Sequence, residues 1–133
     1  ECDDVTGLLV PFDQILDALS QKLNSLTGRQ LDDKAREFLY SIIDLDQQRS
    51  DKVDAVQFSK FWHLYYVMLK IVLHPGVKPL FRDGFVHGFV SATLSTKLLV
   101  DAGQEGTAII RFSTSRPGCL VITCMSFSPL FAL

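Results

Sequence analysis

Residues 106–115 read Gly-Thr-Ala-Ile-Ile-Arg-Phe-Ser-Thr-Ser, a short strand with an arginine at its centre, and run on into Arg116-Pro117-Gly118. Strand alternation places Ala108, Ile110 and Phe112 on one face and Ile109, Arg111 and Ser113 on the other. Both faces carry large apolar groups, so the strand is expected to be covered on both sides. Arg111 is then a guanidinium among apolar neighbours. An unpaired buried charge is costly, and arginine does not escape by losing its proton. Within six residues the only acid is Glu105, whereas Ser113, Thr114 and Ser115 follow directly. A forked cation ringed by neutral donors suits a phosphate better than a carboxylate. Pairing with a distant acid, or extension to the surface, is the alternative.

The longer run G-T-A-I-I-R-F-S-T-S-R-P-G-C-L-V-I-T resembles the strand–loop–strand G-T-F-L-L-R-F-S-x-S-x-x-G-G-x-x-I of Src-homology-2 (SH2) domains, in the form found in signal transducers and activators of transcription (STATs). The resemblance implies that Arg111 grips the phosphate of phosphotyrosine, with Ser113, Thr114 and Ser115 completing the cradle. Thr114 stands where some STATs carry an acid. A second run, Lys78 to Ser91, resembles the STAT junction Trp-x-x-G-x-x-x-G-F-I-S between linker and SH2 domain, with Phe81 in place of the Trp. In that family a lysine or arginine often follows the serine; here it is Ala92. Losing one charge-assisted bond costs about 1.5–3 kcal/mol. Lys97 lies two turns further along, so Arg116 is the better helper.

The resemblance implies a STAT-type helical linker over residues 1–78 and an incomplete SH2 domain over residues 79–133. The fold class is α+β: about three helices packed on one helix and two or three antiparallel strands. The implied function is phosphotyrosine-dependent recognition in a STAT-like transcription factor. The implied partner is a phosphotyrosine-containing protein or peptide, with homodimerisation through phosphotyrosine exchange in the full-length protein. No cofactor is implied. The implied location is the cytoplasm, with nuclear entry on activation. A scaffold with a phosphate-dead pocket is the first alternative, favoured by Ala92.

Composition agrees with a globular chain of one domain, or two small ones sharing a core. There are 133 residues, net charge is -2 and 47% of residues are hydrophobic. A general nucleic-acid binder would usually be more basic, and no direct nucleic-acid site is read here. Cys2, Cys119 and Cys124 form no CxxC pair and suggest buried thiols in a reducing compartment. The opening Glu-Cys-Asp-Asp is acidic and unlike a signal peptide, and the missing initiator Met is consistent with a piece of a longer chain.

Residues 1–7 read as a loose polar end. Phe12, Ile15, Leu16, Leu19, Leu23 and Leu26 follow helical spacing after Pro11, with Gly28 as the left-handed stop. Asp32 caps a second helix with Ala35, Phe38, Leu39, Ile42 and Ile43 inward. Asp44-Leu45-Asp46 and the helix opening at Val53 resemble an EF-hand. A working loop needs a glycine at its sixth position and a bidentate glutamate at its twelfth. Counting from Asp44, these are Arg49 and Ala55; aligning on Val53 instead brings Gln57 to the glutamate position. Calcium binding by this helix pair is the second alternative, and packing is the better reading.

A third helix, from about Val53 to Leu73, is apolar nearly all round from Phe58 onward and is expected to be central. Lys60, His63 and Lys70 interrupt it, which argues against a membrane span of about 20 apolar residues. His74-Pro75-Gly76 stops it, and Asp83-Gly84 marks a turn. Ser91 caps a further helix using Leu94, Leu98 and Leu99, ending near Ala102-Gly103. The next strand is read over Gly118 to Cys124. His63, His74 and His87 have no metal-ligand spacing. No nucleophile–base pair and no phosphate loop is found, so an enzyme is not expected.

Overall fold

The computed structural model describes residues 9–43 and 51–125. In chain order the elements are β1 (Val10–Pro11), α1 (Phe12–Thr27), α2 (Asp33–Ile42), β2 (Lys52–Val53), α3 (Ala55–Val72), α4 (Lys78–Arg82), β3 (Val86–Gly88), α5 (Ala92–Ala102), β4 (Ala108–Phe112) and β5 (Leu120–Cys124). The mixed α+β class is thus as read from the sequence. Residues 1–7, Cys2 among them, the acidic loop Asp44–Asp46 with Arg49, and the tail after Met125 lie outside the described residues.

The local punctuation behaves as the residue types dictate. Asp32 Oδ1 accepts the N–H of Ala35 at 2.8 Å, and Ser91 Oγ accepts that of Leu94 at 3.0 Å. Gly28 closes α1 at φ 84, its N–H donating to Asn24 O at 2.8 Å. Pro11 is the N-cap of α1 and also pairs in β1, one residue earlier than a first-turn proline. The β1–β2 bridge sets Val10 opposite Val53 in antiparallel register. It brings the entry points of α1 and α3 together, and the Phe12 N–H donates to Asp51 O at 2.8 Å. Asp54 and Gln57 form a reciprocal capping box on α3. The Gln57 oxygen, a calcium-ligand position in the EF-hand alignment, accepts the Asp54 N–H at 2.9 Å.

The core is a relay of rings. Phe12 meets Phe61 at 5.1 Å, Phe61 stacks on Tyr65 at 5.8 Å, Tyr65 on Phe89 at 5.8 Å, and Phe89 meets Phe112 at 4.9 Å. This line runs from α1 through α3 into β4. Leu16, Phe38, Leu39, Met68, Phe81 and Val86 fill the space around it. Val90, Leu99 and Ile109 form a smaller cluster between α5 and β4.

Three expectations need correction. First, α3 is not enclosed on every side. Its fully buried residues are Phe61, Tyr65, Met68 and Val72, one stripe at helical spacing, while Tyr66 is 46% and Val56 61% exposed. The outer aromatics shield one another instead: Trp62 stacks on Phe58 at 6.0 Å and on Tyr66 at 5.9 Å, and Lys70 Nζ lies 5.2 Å from the Tyr66 ring centre. Second, not all strands are antiparallel. The sheet order is β3-β4-β5, with β4–β5 antiparallel but β3–β4 parallel. The helix α5 lies between β3 and β4 in sequence and carries the chain back, as a parallel pair requires. Third, Cys119 and Cys124 are exposed free thiols, not buried ones. Cys119 precedes the strand, and Cys124 is on the open face of β5 with Ile122, which is 62% exposed.

Candidate functional site

Arg111 sits at the fourth position of β4, between Gly88 of β3 and Val121 of β5. The strand is covered on both faces, as expected from its pattern. Phe112 enters the ring relay on one side, and Ile109 packs with Val90 and Leu99 on the other. By alternation Arg111 projects on the Ile109 side, toward the region of α5. Its side chain is half-buried. The Nε atom is buried and has no hydrogen-bond partner. Among the described residues the guanidinium makes one hydrogen bond, a long one from Nη1 to the Phe112 carbonyl at 3.4 Å. Among the described residues no carboxylate lies within ion-pair distance of it. A buried N–H of this kind is rare unless a water or ligand completes it.

The loop after β4 is tightly wound. The Ser113 N–H donates to Cys119 O at 3.0 Å, and the Cys119 N–H donates to Arg116 O at 3.2 Å. The Ser113 hydroxyl accepts the Arg116 N–H at 3.0 Å and lies 3.3 Å from the Ser115 hydroxyl. Ser113 is 5% exposed, whereas Thr114, Ser115 and Arg116 are open to solvent. Of the four sequence-selected partners of Arg111, then, Ser113 and Ser115 meet each other. Arg116 joins them through its backbone. None of their side chains hydrogen-bonds to the guanidinium. Ser113 and Thr114 also line a pocket of about 320 Å³ with Ser41, Ile42, Leu64 and Met68, on the helical side of the loop. Arg111 is not part of that lining. Ala92 is exposed at the first position of α5, and Lys97 is exposed further along it.

A signal transducer and transcription activator from Drosophila melanogaster is 28% identical, over 93% of this chain and 17% of the relative. One from Anopheles gambiae is 25% identical, over 86% of this chain and 18% of the relative. Human signal transducer and activator of transcription 4 is 29% identical, over 86% of this chain and 16% of the relative. The chain is related to the STAT family. It spans about a sixth of the length of these relatives, and no protein-family model matches it.

One residue of consequence is not legible in the sequence. Arg29 follows the α1 stop in a polar loop, yet its guanidinium is half-buried. Nη1 donates to Phe81 O at 3.0 Å and to Val86 O at 2.7 Å, and Nη2 donates to His87 O at 3.1 Å. Its Cζ lies 4.2 Å from the centre of the Phe81 ring. Burial pulls its pKa down, and Asp32 opposes the shift. His87 is half-buried beside it and is held below the ordinary histidine value by burial first, then by Arg29 and Lys34, against Asp32. This clamp leaves no local sequence signal, because all three acceptors are backbone carbonyls 52–58 residues away. His63 and His74 are exposed, and the His74 Nδ1 accepts the Gly76 N–H at 3.0 Å. Among the described residues no three His, Cys, Asp or Glu side chains converge on a metal position, and no helix is long and apolar enough to cross a membrane.

Proposed function

We propose that this chain is a STAT-type unit for phosphotyrosine-dependent recognition, with a helical linker over residues 1–78 bracing the first half of an SH2 domain over residues 79–133. It acts in signal transduction and transcription control by binding, not by catalysis. Arg111 supplies the main phosphate contact. The exposed Thr114, Ser115 and Arg116 close over the phosphate from the loop, and Ser113 holds that loop in shape. The partner is a phosphotyrosine-bearing protein segment, which in the full-length protein includes a second copy. Its place is the cytoplasm, with nuclear entry on activation.

The observation that carries this reading is the unpartnered Nε of Arg111, with no carboxylate in reach among the described residues. A phosphate supplies the acceptors that this fork lacks, and a lysine would offer only a point charge. Isothermal titration of a degenerate phosphotyrosine peptide pool, against the same pool unphosphorylated, tests it. Phosphate-dependent heat is expected, and Arg111→Lys should weaken binding about tenfold or more, equivalent to about 1.4 kcal/mol. Equal affinity in that variant removes the role given to Arg111.

A second reading, a scaffold without phosphate binding, has one specific observation behind it. The position after Ser91 is Ala92, so α5 offers no second cation there. Absence of phosphate-dependent heat in the same titration would leave this scaffold reading standing.

A further inference from the structure

We infer that Arg29 is a positioning residue for Arg111, acting through a bulge in β3. This rests on the phosphate-binding reading above and adds a control point to that site. The register between β3 and β4 is irregular: Val86 is opposite Ile110 and Gly88 opposite Arg111, so β3 advances two residues while β4 advances one. His87 is the extra residue. A bulge disrupts the ladder locally and re-aims what lies beside it. Here the Val86 and His87 carbonyls at the bulge are taken up by Arg29, at 2.7 and 3.1 Å.

The third bond, to Phe81 O at 3.0 Å, ties the same guanidinium to the end of α4. Three acceptors from two elements thus converge on one planar fork, a geometry that lysine cannot copy. The bulge sets which residue stands opposite Arg111. That residue is Gly88, held at φ +74, and a Cβ there would meet Phe112 Cε2 at 2.9 Å and Phe81 Cε1 at 3.2 Å. The missing side chain at Gly88 faces the Phe112 and Phe81 rings, so the bulge is packed from the face of β4 opposite Arg111. The loop between α1 and α2 therefore reaches the phosphate site through the backbone of β3, without touching the ligand.

The test is an NMR titration of the 133-residue chain with O-phosphotyrosine, following the Arg111 Nε–H signal. Three variants are compared with the parent: Arg29→Gln, Arg29→Lys and Leu19→Ala. Leu19 packs partly against the core from α1 and serves as a control for general loss of stability. Arg29→Gln is expected to weaken O-phosphotyrosine about fivefold or more, with faster amide exchange between β3 and β4 than between β4 and β5. Leu19→Ala is expected to stay within about twofold. Arg29→Lys should resemble Arg29→Gln, and it carries the test if the glutamine variant does not fold. Affinity and exchange in the Arg29 variants equal to those of Leu19→Ala overturn the inference while leaving the phosphate site intact. No phosphate-dependent shift in the parent chain overturns the phosphate reading itself, and this inference with it.

Discussion

At residue 88 the backbone is left-handed, and the rings of Phe112 and Phe81 leave no room for a methyl group. Gly88→Ala therefore combines a strained φ with overpacking. Each contributes about 1–3 kcal/mol, so a loss of about 2–6 kcal/mol is expected in urea unfolding. Its neighbour His87 gives a pH signature. The native imidazole is held below its ordinary value of 6.5, so just under that pH the unfolded chain binds more protons than the fold does. The stability contributed by the neutral ring is full above that value and is lost as pH falls through the lowered native pKa. The urea midpoint should therefore drop between about pH 7.5 and about pH 5, and drop less in His87→Gln. Arg111 could be picked out from sequence because its neighbours on the same strand are apolar and hydroxyl-bearing. Arg29 could not, since its environment is built by residues remote along the chain.

Among the elements, those stopped and started by local chemistry were legible and those made by long-range pairing were not. Asp32, Ser91 and Gly28 act within one turn of their own position, and each performs the capping role its type predicts. The capping box of α3 is equally local, yet an EF-hand alignment draws Gln57 toward a ligand role that its cap bond does not serve. Asp54→Ala should cost about 1–2 kcal/mol by thermal unfolding, as for other N-caps that lose a side-chain acceptor. A five-residue α4 and a three-residue β3 carry too few positions for periodicity to show. The parallel pairing of β3 is invisible for a different reason: it depends on where α5 returns the chain. The third helix misled through composition. Its outer rings are apolar, but they stack on one another along the helix, so apolar character on every side does not mean cover on every side.

At the scale of the molecule, the helical segment and the segment with the sheet share one hydrophobic core. Phe89 is its junction. Its ring meets Tyr65 at 5.8 Å, Phe81 at 6.0 Å, Phe38 at 6.3 Å and Phe112 at 4.9 Å, so it joins α2, α3 and α4 to β4. A length prior of one domain, or two small ones with a common core, is what this relay embodies, and only the contacts reveal its single line of rings. Phe89→Ala removes a fully buried ring from that junction and should cost about 3–5 kcal/mol. Because the loss falls on both segments at once, Trp62 emission on α3 and amide exchange in β4 should report the same shifted transition. Two separated transitions, with Trp62 unmoved, would mean that the helices hold together without the sheet. The proposed bracing of the strand that carries Arg111 would then be a contact of two independent bodies.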